Sequence, residues 1–168
     1  ILPKADAIVD PKQEDCAYPF KSLCGTGVAY QLMTLLFRRM KRTMSHQEIF
    51  LQYTAIATVA DVMELVGENR ILVRKGLSYL NHTNHTGLRA LMEVCGIAPE
   101  QVRAYHIGFI LGPCFNAAGR LDTIVHALEL LESKEYDQAL ALAGELWAMN
   151  EERKELTRVG TERAVELI

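Results

Sequence analysis

One uninterrupted helical pattern runs from Ser133 to the last residue, and it constrains the fold more than any other feature. Its apolar positions share one stripe at helical spacing: Leu142, Leu146, Met149 and Leu156. About 33 residues at a rise of roughly 1.5 Å would form a rod of about 50 Å, whereas the average globular helix has about 11 residues. We therefore expect residues 133–168 to be a connector helix that leaves a domain formed by residues 1–132, although Gly144 and Gly160 weaken its continuity.

The rest of the chain has a helix-rich pattern with one short strand. The strand is predicted at Ala5–Val9, which has β-type composition. Helical spacing predicts segments at about 28–40, 54–63, 69–80, 87–95, 101–110 and 122–131. A capping box at Ser45 should start a further helix, Thr86 and Asp122 are expected caps, and Gly112-Pro113 should end the segment before it. Helices combined with a strand predict an α/β, helix-rich fold.

Bulk composition favours a folded protein of the cell interior. The 168 residues are 49% hydrophobic and 23% charged, which suffices for one sizeable core. The net charge of −3 gives no general sign of nucleic-acid binding. No apolar run reaches the roughly 18 residues that a membrane span needs, and no signal peptide is visible. The four cysteines form no C-x-x-C pair and are interpreted as buried thiols in a reducing compartment, so we expect a cytoplasmic location.

The two ends of the sequence suggest a fragment. The chain begins without methionine, on two apolar residues and a proline, and it ends in helical register without a stop signal. We therefore expect parts of a larger protein on both sides.

Asp61 is the first candidate site residue. It lies in a nearly all-apolar segment, 55–63, where a buried carboxylate is costly unless it is paired or binds a metal. Hard cations such as Mg²⁺ and Mn²⁺ take carboxylate ligands. The alternative is that Asp61 lies on an exposed stripe with Thr58 and Glu64. The pattern leaves both interpretations open.

The segment Gly112–Arg120 is the second candidate. Small residues at 117–119, including Gly119, would let a ligand backbone approach closely. The guanidinium of Arg120 matches a phosphate, and Asn116 can bond a phosphate or a base edge. The alternative is an ordinary turn between helices with Arg120 on the surface. Taken alone, the residues do not decide between these interpretations.

Other motifs carry less weight. Gly25-x-Gly27 could cradle an anion at a helix start, but close packing is the simpler interpretation. His82 and His85 lack a cysteine or carboxylate neighbour in the sequence, so solvated side chains are expected rather than metal ligands.

Together these segments resemble the RecJ family of single-strand-specific exonucleases, within the DHH phosphoesterase superfamily. The matching segments follow the family's order over almost the whole chain: residues 5–11, 18–29, 57–62, 68–72 and 112–122. The combination of Thr58-Val59-Ala60-Asp61-Val62 with the later Asn116-Ala117-Ala118-Gly119-Arg120 is specific, whereas either motif alone would not be.

The resemblance implies a metal-dependent 5′–3′ exonuclease acting on single-stranded DNA in repair and recombination. Two Mn²⁺ or Mg²⁺ ions would generate a hydroxide and stabilise the leaving oxygen. Of the family's metal ligands only Asp61 falls in this chain, and the Asp-His-His motif would precede Ile1. Asn116 and Arg120 would hold the DNA strand, and the final helix would lead to the family's second domain. Single-strand-binding protein and a helicase are partners implied by the family.

One departure and two rival functions remain. Many relatives carry arginine at the position of Cys114, so Cys114 is not taken as a site residue. The first rival is a DHH phosphoesterase acting on short oligonucleotides or cyclic dinucleotides, and the second is a non-catalytic helical interaction module. We also expect this chain alone to be inactive, because one carboxylate cannot hold two metal ions.

Overall fold

The computed structural model describes residues 3–120 and 124–167, with only the backbone of Arg120. Every regular element in these ranges is a helix, so the helix-rich prediction is confirmed and the α/β class is not. Residues Ala5–Val9 form no strand in the described part of the chain, because an extended segment becomes a strand only when a neighbour satisfies its backbone groups. The predicted cap Asp122 lies outside the described residues.

The helices lie in two compact units that divide between Tyr79 and Leu80. Their bounds are α1 Gly25–Arg39, α2 Gln47–Ala60, α3 Gly67–Leu80, α4 Thr86–Val94, α5 Ala104–His106, a π-helical segment Ile107–Leu111, α6 Gly112–Arg120, α7 Ile124–Glu132 and α8 Tyr136–Glu166. Within these residues, no helix combines the length and the apolar character that crossing a membrane requires.

The first unit is built around close contact between its helices. Its buried cluster consists of Leu23, Tyr30, Leu51 and Leu72. Gly76 of α3 lies directly against the backbone of Leu51 in α2, so that even a methyl group there would collide with the Leu51 carbonyl and with Ala55. A glycine at this position therefore allows α2 and α3 to approach each other closely.

The second unit packs around the first half of α8. This helix contacts α4, α6 and α7, and its buried residues are Ala139, Leu142, Ala143, Leu146 and Asn150. Beyond Asn150 the described residues of α8 bury no side chain fully, and Leu156 is 60% exposed. The predicted stripe is therefore a core stripe only at its N-terminal end.

Two predicted helix starts are wrong by one residue. His46 precedes α2 with a left-handed backbone (φ 58°) and no side-chain cap, so the capping box at Ser45 does not form. His85, not Thr86, caps α4, since its Nδ1 accepts a hydrogen bond from the Leu88 amide at 3.3 Å. Burial lowers the pKa of His85, which favours the neutral ring that this cap requires. His85 is therefore not the solvated side chain that the sequence predicts.

The predicted break at Gly112-Pro113 is also wrong. Residues Ala104–Arg120 form one unbroken helical run through α5, the π-helical segment and α6. The Gly112 amide bonds the Ile107 carbonyl, five residues back, in the wider π turn. Proline lacks an amide proton and is tolerated where a new helical turn begins, which is where Pro113 lies.

Candidate metal and nucleic-acid site

Asp61 lies at the C-terminal end of α2, as the cap residue of that helix. Its side chain is exposed, and it has no hydrogen-bond or ion-pair partner among the described residues. The predicted exposed stripe is only partly correct, because Thr58 is fully buried and its hydroxyl donates to the Thr54 carbonyl at 2.6 Å. An unpaired carboxylate facing solvent is chemically able to serve as one ligand of a hard cation.

The turn that presents Asp61 has a fixed geometry. The Met63 amide donates to the Thr58 carbonyl and the Val62 amide to the Val59 carbonyl, both at 3.1 Å. These two bonds are the Schellman pattern, in which the residue after the cap is left-handed and is usually glycine. Here it is Val62, with φ 55° and an 88% exposed side chain. A β-branched residue in this conformation is strained, by about 1–2 kcal/mol.

Buried polar contacts hold this turn from two sides. Asn69 is fully buried, and its Nδ2 donates to the carbonyls of Ser22 at 2.7 Å and Glu64 at 3.0 Å. Cys24 caps α1 and its Sγ lies 3.3 Å from the Thr58 hydroxyl. The sequence pattern by itself gives no role to Asn69. Its place in the matched segment 68–72 was the only signal available.

Asn116 and Gly119 lie on the exposed side of α6, in the second unit. The Asn116 side chain has no partner among the described residues, and a Cβ added at Gly119 would meet nothing within 4 Å. Ala117 and Ala118 are fully buried. The prediction that residues 117–119 jointly admit a ligand is therefore wrong for the two alanines, which face the core, and only Gly119 faces solvent.

The segment Asn116–Arg120 is helical, so its interpretation as a turn between helices is wrong. The backbone of Arg120 ends α6, and its side chain lies outside the described residues. The predicted phosphate contact of this guanidinium thus stays a prediction.

Cys114 is fully buried and all four cysteines are free thiols. A hydrogen bond from the Cys95 thiol lowers the pKa of Cys114 and raises that of Cys95. Cys114 is therefore a core position in this chain.

Other candidate positions do not form a site. Cys24 Sγ accepts a hydrogen bond from the Gly27 amide at the start of α1, so this amide is already paired within the chain and is not available to an anion. An open cleft of about 650 Å³ in the second unit contains none of the predicted site residues. No group of three or more histidine, cysteine or carboxylate side chains within the described residues could hold a metal ion. The described residues thus contain no cluster that could form a two-metal cage by itself.

Comparison with known proteins shows strong similarity over most of the chain. No protein-family model matches the sequence. The chain is 42% identical to the single-stranded-DNA-specific exonuclease RecJ of Salmonella typhimurium over 92% of its own length, and 36% identical to that of Bacillus subtilis over 99%. It spans 29% and 20% of those relatives, respectively.

Solved structures give the same result. A crystal structure of RecJ from Thermus thermophilus in complex with Mg²⁺ matches 88% of this chain with a TM-score of 0.78 and 33% identity, and the match covers 23% of that protein. A crystal structure of exonuclease RecJ bound to manganese also gives a TM-score of 0.78, with 32% identity, and the match covers 37% of it.

These matches define a class of protein, the single-stranded-DNA-specific exonucleases. Within that class the relatives are RecJ proteins, and the predicted resemblance to the RecJ family is confirmed over most of this chain.

Proposed function

We propose that this chain is a segment of a cytoplasmic, metal-dependent exonuclease that degrades single-stranded DNA in the 5′–3′ direction in repair and recombination. The observation that carries the proposal is the alignment of 92% of the chain with RecJ at 42% identity. The unpaired, exposed carboxylate of Asp61 supports it, because this is the state that a metal ligand needs before the ion binds.

The residues of this chain take separate roles in the proposal. Asp61 holds one of two Mn²⁺ or Mg²⁺ ions, and Asn69 fixes the turn that presents it. Asn116 and Arg120 bind the DNA strand, and Gly119 leaves room for its backbone. The bound ions would supply a hydroxide and stabilise the charge on the leaving oxygen.

The domain organisation is part of the proposal. Residues 1–132 are the C-terminal part of an α/β DHH catalytic domain. Within residues 133–168, the first half of α8 packs within the second unit, and the remainder is the connector toward a second domain. The exposed half of α8 beyond Asn150 supports the connector role. Single-strand-binding protein and a helicase are proposed partners of the whole protein.

The test uses the whole protein and this chain side by side. We expect the whole protein, with Mn²⁺, to release nucleotides from a single-stranded oligonucleotide whose label position reports the direction of digestion. The chain alone should release none, because one carboxylate cannot hold two ions. Activity restricted to short oligonucleotides or cyclic dinucleotides would support the rival phosphoesterase. No hydrolysis of any of these substrates by the whole protein would support a non-catalytic module.

A further inference from the structure

Two aromatic rings are exposed and stacked on the helical run Ala104–Arg120. Tyr105 is 61% exposed and Phe109 is 67% exposed. Their ring centroids lie 5.0 Å apart with an interplanar angle of 27°, and His106 packs edge-on against Tyr105. Scattered exposed apolar residues are normal, but two exposed rings that already stack on each other can be extended by a further planar group, which suggests a planar ligand.

The stack and the proposed strand-binding residues lie on one element. The exposed residues of the run up to Gly119 are Tyr105, Phe109, Asn116 and Gly119. Seven residues separate Phe109 from Asn116, which corresponds to about 10 Å along a helix. A strand held at Asn116 therefore comes within a few nucleotides of the rings.

The charge of this part of the chain suits a polyanion. Between Glu100 and Asp122 the sequence contains no carboxylate, while Arg103 and Arg120 are both cationic. Arg103 is exposed and immediately precedes the run, as the cap residue of α5. A chain with an overall charge of −3 thus lacks negative charge along this helix, which favours a phosphate backbone over an acidic protein surface.

We propose that Tyr105 and Phe109 form a stacking site for a base of single-stranded nucleic acid, next to the strand contact at Asn116. The inference rests on the proposed function and adds a binding site to it. Every base has a π face, so such a site binds without sequence preference, as an exonuclease that moves along a strand requires. The pair would act in binding and positioning the strand and not in the hydrolytic step.

The test combines protein variants with abasic substrates. Binding of the whole protein to a 3′-labelled oligonucleotide is measured without divalent metal, with one abasic residue placed at each position in turn. The variants are Phe109→Leu and Tyr105→Leu, which keep apolar bulk and remove the ring. Tyr79→Leu, an exposed tyrosine at 45%, is the matched control.

A coupled loss is the expected result. On intact DNA, Phe109→Leu and Tyr105→Leu should weaken binding about tenfold, whereas Tyr79→Leu should not. At one strand position, an abasic residue should weaken DNA binding by the wild-type protein by a similar factor. The same abasic residue should weaken binding by the two variants only slightly further. If the loss of binding caused by each variant and the loss caused by the abasic residue simply add at every strand position, the proposed stacking site is overturned.

Two further outcomes are also decisive. If another part of the whole protein covers the rings, both variants should lower the melting temperature, and binding should depend on the position of the abasic residue as it does in the wild type. Persistent exonuclease activity with this result overturns the stacking site but not the proposed function. If the wild-type protein neither binds nor degrades single-stranded DNA, the proposed function itself fails.

Discussion

At the scale of single residues, exposure separates the positions that can meet a ligand from those that only pack. Asp61, Asn116 and Gly119 face solvent, whereas Ala117 and Ala118 are fully buried. Sequence alone could not separate the two alanines from Gly119, because small residues serve equally in helix packing and in ligand approach. The register of α6 decides between those roles.

Gly119→Ala should have opposite effects on stability and on DNA binding. The new methyl group meets no atom of the described residues within 4 Å, so the helix should gain up to about 1 kcal/mol from alanine's higher propensity. The same methyl group would occupy the space that we assign to the DNA backbone, and affinity for single-stranded DNA should fall. Melting temperature and DNA dissociation constant of the whole protein measure the two effects.

Gly144→Ala is the matched control, because its methyl group also meets no atom within 4 Å. It should raise stability without changing DNA affinity. Unchanged affinity in Gly119→Ala would remove Gly119 from the proposed site.

Ionisation of Tyr18 should lower the stability of the folded chain at high pH. Burial, together with the hydrogen bond from its hydroxyl to the Glu68 carboxylate at 2.7 Å, raises the pKa of Tyr18 to about 12. An unfolded tyrosine ionises near 10, so the folded state retains the proton more strongly between about pH 10 and 12. The stabilisation is complete below about pH 10 and is lost as the pH rises through that window.

Urea unfolding of the chain at about pH 9 and pH 11 measures this effect. Between these two pH values the wild-type chain should lose more stability than the Tyr18→Phe variant, because phenylalanine has no group that ionises. An equal loss in both proteins would show that Tyr18 does not carry the effect.

At the scale of elements, most helices could be predicted and their ends could not. Apolar spacing located α1, α3, α4 and α8 to within a few residues. The start of α2 was missed because the left-handed His46 shifts it past Ser45. The predicted break at Pro113 does not occur because a π turn precedes the proline, and no local sequence pattern indicates such a turn.

Gly76 and Gly144 should respond in opposite directions to alanine. Gly76 of α3 has no space for a methyl group against the Leu51 carbonyl of α2, so Gly76→Ala should destabilise the chain by about 1–3 kcal/mol. Gly144→Ala in α8 should stabilise it by up to about 1 kcal/mol, because that position is open. Urea unfolding of both variants gives the signs, and a stabilising Gly76→Ala would contradict the close approach of α2 to α3.

At the scale of the whole molecule, the chain corresponds to only part of the length of its relatives. The match covers 29% of the Salmonella RecJ protein, and the described residues contain no cluster of three metal-ligating side chains. Within the proposed function, this segment contributes the exposed carboxylate of Asp61, the turn that presents it and the helix that carries Asn116. The motifs in the sequence single out Asp61 and Asn116 as candidates, and both assignments stay predictions. The turn at Asp61 and the buried amide of Asn69 behind it could not be predicted, because they depend on contacts between segments far apart in the sequence.

The most direct test of the central claim is the Mn²⁺-dependent cleavage of single-stranded DNA by the whole protein carrying Asp61→Asn. The substitution keeps the shape of the side chain and removes its charge. Because Asp61 is exposed and has no partner in the described chain, the melting temperature should change little. We predict a loss of cleavage of about 100-fold or more with the fold intact. Turnover close to that of the wild type would contradict the assignment of Asp61 as a metal ligand.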